Sequence, residues 1–96
     1  MEAGSYVGIK IHIPPLLAYL THDQSVIEVN GNSVDMCLGQ LVARYPELKK
    51  QLFGGDGKLN DGIEVYINLK SRYPEELATA VNDGDDIHIV DVIIGG

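Results

Sequence analysis

Several residue types are rare in this sequence, and each shortage excludes a class of protein. The 96-residue chain has one cysteine, so an internal disulfide cannot form and a reducing cytoplasm is the expected compartment. No apolar run approaches the roughly 20 residues that a membrane helix needs. The first five residues lack the basic start and apolar stretch of a signal peptide. We therefore expect a cytoplasmic protein with no membrane partner.

Basic residues are also scarce. Lys and Arg number 7 against 14 Asp and Glu, which makes the formal net charge −7. Nucleic-acid binding needs clustered Lys and Arg side chains at the phosphates, so we expect no nucleic-acid partner. An acidic protein would instead favour a partner with a positive docking groove.

The sequence does contain segments with the alternation of half-buried strands. Between Tyr6 and Ile13, β-branched residues alternate with Tyr, Gly, Lys and His, and Pro14-Pro15 ends the pattern. A short turn of helix is predicted at 16–20. Further strands are predicted at 26–29, 63–68 and 86–92, the last after the turn residues 82–85.

One helix is predicted between the second and third strands. Asn32 or Ser33 can cap it, and Asp35 in its first turn complements the helix dipole. Pro46 interrupts the pattern, a second short helix can follow, and 53–62 is predicted to be a loop. An apolar stripe at helical spacing comprises Val34, Leu38, Leu41, Val42 and Tyr45.

The order strand, strand, helix, strand, strand predicts an α+β fold of the β-grasp type. Its mixed sheet would have four to five strands, with the first and last side by side in the centre and one main helix packed on one face. We expect a single domain over residues 1–96, with a flexible C-terminal tail at 93–96. The fold alone determines no function.

The chain resembles the MoaD/ThiS family of ubiquitin-like sulfur carriers, and within it MoaD, the small subunit of molybdopterin synthase. The pieces that carry the resemblance are Arg44-Tyr45-Pro46-Glu47-Leu48 after the helix, Tyr66-Ile67-Asn68, the turn at 82–86 and the terminal Gly95-Gly96. Family members commonly have Asn-Gly after the third strand. This chain has Asn68-Leu69, so we expect a different hairpin turn there.

The resemblance implies a function for the C-terminus. A partner of the MoeB or ThiF type would use ATP and Mg to adenylate Gly96, which then becomes a thiocarboxylate. Gly95 would give clearance in the narrow site, because a Cβ there would obstruct the approach of the backbone. Ile93 and Ile94 would anchor the tail in the partner's channel. The carrier would need no cofactor or metal of its own and would not be an enzyme.

Other residues of the sequence are candidates for reactive, metal-binding or docking roles. Cys37 borders the apolar stripe and is interpreted as a small buried hydrophobe rather than a reactive thiol. His12 and His88 could face the same side of the sheet, but two imidazoles make an incomplete zinc site. That face, with Lys10, Tyr66 and Val90, could dock a partner. The glycine-rich loop at 54–58 lacks the residues of a phosphate-binding loop.

The acceptor of the sulfur stays open at this point. The leading hypothesis is the large subunit of molybdopterin synthase. Thiazole synthesis, cysteine synthesis or a tungsten-cofactor pathway would use the same chemistry with another acceptor enzyme. Two further hypotheses are a protein modifier, in which Gly96 is joined to lysines, and an interaction module with an inert tail.

Overall fold

The structure is a computed structural model that describes residues 8–71 and 76–91. Within these ranges the strands are β1 (Ile9–His12), β2 (Val26–Val29), β3 (Ile63–Ile67), β4 (Lys70–Ser71) and β5 (Asp86–Asp91). The α-helices are α1 (Val34–Arg44) and α2 (Leu48–Leu52), and 3₁₀ helices span Pro15–Thr21 and Glu76–Ala78.

The described strands form one five-stranded sheet in the order β2-β1-β5-β3-β4. β1 and β5 are parallel neighbours in its centre, with Ile11 opposite Ile87 and His12 opposite His88. β2 pairs antiparallel with β1, and β3 pairs antiparallel with β5. This arrangement confirms the predicted β-grasp, including the central pairing of the first and last strands.

The strands turn their β-branched residues toward α1. Ile9, Ile11, Val65 and Ile87 are completely buried, whereas the residues between them reach the outer surface of the sheet. Alternation at a period of two makes one face of each strand apolar, so the faces unite over a single core. The sequence pattern had predicted these facings.

α1 begins where the sequence predicts. Ser33 is its N-cap, and its Oγ accepts a hydrogen bond from the backbone N–H of Met36 at 3.2 Å. The stripe of α1 packs into the core, with Leu38 and Leu41 fully buried and Tyr45 partly so. At the other end, Arg44 donates to the carbonyl of Glu28 in β2 at 3.1 Å, which ties the helix to the edge of the sheet. None of the described helices is long and apolar enough to cross a membrane.

The β3–β4 hairpin departs from the sequence analysis. The two residues that join the strands, Asn68 and Leu69, both have positive φ, at 49° and 74°. Positive φ at both central residues is the geometry that Asn-Gly favours in two-residue hairpins. The expectation of a different turn was therefore wrong. Pairing of the two strands holds Leu69 in the turn geometry that glycine adopts in an Asn-Gly hairpin. The following strand, β4, falls between the strands predicted at 63–68 and 86–92, where no strand was predicted.

Candidate functional site at the carboxyl end of β5

The predicted site residues Gly96, Gly95, Ile94 and Ile93 lie outside the described residues. What the structure places is the end of β5, at Asp91, from which they follow in the sequence. Over its first residues β5 is held on both sides, by β1 and β3. Asp91 is still paired with Ile63, although the ladder to β1 extends only to the pairing of His12 with His88. The tail therefore starts from a fixed point on the central strand.

An open groove of about 460 Å³ lies at this end of the sheet. Its lining brings together the N-terminal 3₁₀ helix, α2, the loop before β3, and the facing ends of β3 and β5. The lining residues are Leu17, Gln51, Asn60, Asp61, Ile63 and Asp91. Two carboxylates and two amides make it a polar groove with negative charge, which suits cationic or amide groups better than an apolar ligand.

Asn60 holds the wall of the groove in place. Its side-chain amide donates to the carbonyls of Lys50 and Gln51, both at 3.0 Å, and its backbone N–H donates to the carbonyl of Leu52 at 2.8 Å. These carbonyls belong to the last turn of α2, where the helix itself offers no partner. A single asparagine thus fixes α2 against the loop, and sequence reasoning missed it because the loop was interpreted as ordinary turns.

The outer face of the sheet carries a row of rings. His12 and His88 are stacked, with their centroids 4.1 Å apart and an interplanar angle of 11°. Tyr66 is opposite His88 on β3, and Nε2 of His12 lies 2.9 Å from Oδ1 of Asp86. The prediction that the two histidines share one side of the sheet is confirmed. No group of three or more His, Cys, Asp or Glu in the described part of the chain is placed to hold a metal ion.

The pKa values of His88 and Asp86 in this ring cluster are both lowered. Partial burial lowers the pKa of His88 below its usual 6.5, the charge of His12 acts in the same direction, and Asp86 opposes them. The hydrogen bond with His12 lowers the pKa of Asp86 below its usual 3.8. Burial opposes this shift more strongly than any one of the charges of His12, His88 and Lys10 supports it. This face could dock a partner, as predicted from the sequence, and that role stays a prediction.

Two other candidates have structural roles. Cys37 is fully buried in the core, and this burial raises the pKa of its thiol. A nucleophilic cysteine needs a lowered pKa and access to solvent, so its interpretation as a buried hydrophobe is confirmed. In the glycine-rich loop, Gly57 donates its N–H to the carbonyl of Gly54, and Gly54 donates to the carbonyl of Lys58. These backbone amides close a turn.

Comparison with known proteins bears on what this end of β5 can do. The model of the ThiS family matches residues 11–96. The sulfur carrier protein CysO of Mycobacterium tuberculosis is 28% identical over 93 residues, which cover 94% of this chain and 100% of the relative. The small archaeal modifier protein 1 of Haloferax volcanii is 32% identical over 71 residues, which cover 73% of this chain and 78% of the relative.

Among solved structures, the chain is similar to one from the BexX/CysO complex of Amycolatopsis orientalis. The TM-score is 0.82 at 28% identity, and the likeness covers 93% of this chain and 100% of that one. The relatives are named as carriers and modifiers, not as catalysts. They confirm the family predicted from the sequence and give no support to a closer placement with MoaD.

Proposed function

Because the chain belongs to the ThiS family, we propose that it carries sulfur on its C-terminal carboxyl group, at Gly96. The observation that carries the proposal is the family match, which extends through the Gly95-Gly96 end. The geometry at Asp91 supports it, because a central strand paired to its last described residue provides a fixed base for a tail that enters another protein. We propose a non-catalytic role, in which partner enzymes act on the tail.

The proposed chemistry turns a poor electrophile into a good one. The carboxylate of Gly96 attacks the α-phosphorus of ATP on a MoeB/ThiF-type enzyme, which supplies the Mg, and pyrophosphate leaves. A sulfide-equivalent donor then adds to the acyl carbon of the adenylate, and AMP leaves with its electron pair. The product is a thiocarboxylate. Gly95 keeps the approach to the acyl carbon free of a Cβ, and Ile93 and Ile94 anchor the tail in the enzyme's channel.

Intact mass provides the test. The protein is incubated with a MoeB/ThiF-type enzyme, MgATP and sulfide, and we expect the mass gain of one oxygen-to-sulfur exchange. A variant that lacks Gly96 should show no gain, while its melting temperature stays that of the unaltered protein, because chain ends contribute little to folding unless they are tied down. An unchanged mass with an enzyme proven active on its own carrier would favour an inert interaction module. A lower melting temperature would mean that the tail is packed.

For the acceptor we propose the large subunit of molybdopterin synthase, which the sequence resemblance favours. Co-purification of that subunit with this chain, and transfer of labelled sulfur to a pterin precursor, would support it. Transfer of the label to a thiazole, cysteine or tungsten-cofactor product instead would contradict it and leave the carrier function intact.

A second candidate function is protein modification, favoured by the similarity to the small archaeal modifier protein 1. Here a lysine amine of another protein would attack the acyl carbon of the Gly96 adenylate, forming an amide bond with loss of a proton, and AMP would leave. The last Lys or Arg of the chain is Arg72, so trypsin would leave residues 73–96 on a modified lysine. Digestion after acidic residues would leave only residues 92–96. Such branched peptides in a cell extract would support modification, and their absence beside abundant thiocarboxylate would contradict it.

A further inference from the structure

The N-terminal 3₁₀ helix, Pro15–Thr21, carries an exposed apolar pair. Leu16 is 58% exposed and Tyr19 is 66% exposed. Side chains three residues apart eclipse each other in a 3₁₀ helix, so these two share one side. Leu17 is buried and Leu20 packs partly against the core. The helix therefore covers the core with one side and offers a leucine and a tyrosine to solvent with another.

This apolar pair lies at the carboxyl end of β5. β1 ends at His12, opposite His88, and the chain turns through Pro14 into the 3₁₀ helix. Leu17, between the two exposed residues, lines the same groove as Asp91. The 3₁₀ helix that carries the pair therefore borders the groove from which residues 92–96 continue, and Asp61 lines the same groove.

The number of residues after Asp91 restricts where a partner can bind. Residues 92–96 are five residues, and a fully extended segment of that length spans at most about 17 Å. If Gly96 is adenylated as proposed above, its carboxyl carbon must lie beside the α-phosphate of ATP, below the rim of a nucleotide pocket. The rim must then lie closer to Asp91 than the full reach of residues 92–96, which brings the enzyme close to the surface around the groove.

We propose that Leu16 and Tyr19 are a docking contact for the enzyme that adenylates Gly96. The inference rests on the proposed function and specifies the surface of that partner. At the entrance of its nucleotide pocket, the adenylating enzyme has an apolar surface that contacts Leu16 and Tyr19, next to cationic groups. Asp61 and Asp91 in the groove complement the cationic groups. Tyrosine and leucine together offer apolar area, and tyrosine is enriched at the contacts that dominate binding energy.

Steady-state adenylation kinetics test the proposal with a matched control. The variants are Leu16→Ser, Tyr19→Ser and the double variant, and the control is Leu69→Ser. Leu69 is also an exposed leucine, at 75%, but it follows Ile67, which pairs with Ile87 near the other end of β5. The readout is ATP–pyrophosphate exchange by a MoeB/ThiF-type enzyme that adenylates the unaltered protein, with melting temperatures measured for every variant.

We expect the double variant to raise KM for the carrier about tenfold or more and to keep kcat within about twofold of the unaltered protein. The reason is that the docking contact stabilises the enzyme–substrate complex and the transition state equally. Leu69→Ser should leave KM unchanged. Each single serine variant should show part of the effect, so a double variant that folds poorly does not decide the matter.

Three results would overturn the proposal. KM could stay unchanged in folded Leu16→Ser and Tyr19→Ser, or it could rise equally in Leu69→Ser. In the third, adenylation is normal but transfer of sulfur from the thiocarboxylate to the acceptor is impaired, which would assign the pair to the acceptor enzyme. If the unaltered protein is never adenylated, the proposed function fails first and this inference fails with it, a result distinct from the other three.

Discussion

Leu69 provides a sharp test of the backbone geometry, because its φ of 74° reverses the usual ranking of alanine and glycine. An L-residue in the left-handed region costs roughly 1–2 kcal/mol. Glycine escapes that cost but loses more chain entropy on folding, roughly 0.5–1 kcal/mol relative to alanine. The difference of the midpoints, about 0.75 kcal/mol, predicts that Leu69→Gly folds more stably than Leu69→Ala.

The two variants are compared with each other rather than with the unaltered protein. Both delete the same leucine side chain, so the small contact that Leu69 makes with its surroundings cancels. A control lies at Gly39, in the middle of α1, where an added Cβ would meet nothing within 4 Å. Gly39→Ala should stabilise the protein by about 1 kcal/mol, since glycine is poor in a helix interior.

Urea unfolding followed by far-ultraviolet circular dichroism measures both effects. At this chain length the predicted difference at position 69 corresponds to about 3–6 °C in melting temperature. If alanine at 69 is more stable than glycine by the ordinary amount of about 0.5–1 kcal/mol, the turn does not hold residue 69 at positive φ. The reasoning about the hairpin would then be refuted.

Two further predictions concern the core and the ring cluster. Leu41→Ala, at a completely buried position, should lower the free energy of unfolding in urea by about 2–5 kcal/mol. Its control is Met36→Ala, on the exposed side of the same helix, whose free energy of unfolding should stay within about 0.5 kcal/mol of the unaltered protein. Because the pKa of His88 is lowered in the fold, the unfolded chain binds the proton first, so stability should fall as pH drops from 7 through 6.5 and level off below the folded pKa. His88→Gln should reduce the slope of unfolding free energy against pH. Asp86 does not add to this slope, because its lowered pKa lies below 3.8 and it contributes equally at pH 7 and pH 5. An unchanged slope in His88→Gln would contradict the assignment to His88.

The parts of the molecule that follow from short-range pattern were predictable from the sequence. The facing of β1, β3 and β5, the start of α1 at Ser33 and the burial of Leu38 and Leu41 all depend on residues a few positions apart. Alternation and helical spacing encode them directly. The role of the terminal Gly95-Gly96 was also predicted from the sequence, because the proposed chemistry depends on the absence of side chains, and that role stays a prediction.

What only the tertiary structure decided involves residues far apart in the chain. The hydrogen bond between His12 and Asp86 joins positions 74 residues apart, and the groove at Asp91 takes its walls from five segments. Leu69 adopts a conformation against its own preference, because pairing of β3 with β4 outweighs a local cost of about 1–2 kcal/mol. Long-range pairing is set by the summed burial of the whole core, and that sum cannot be read from any local stretch of sequence.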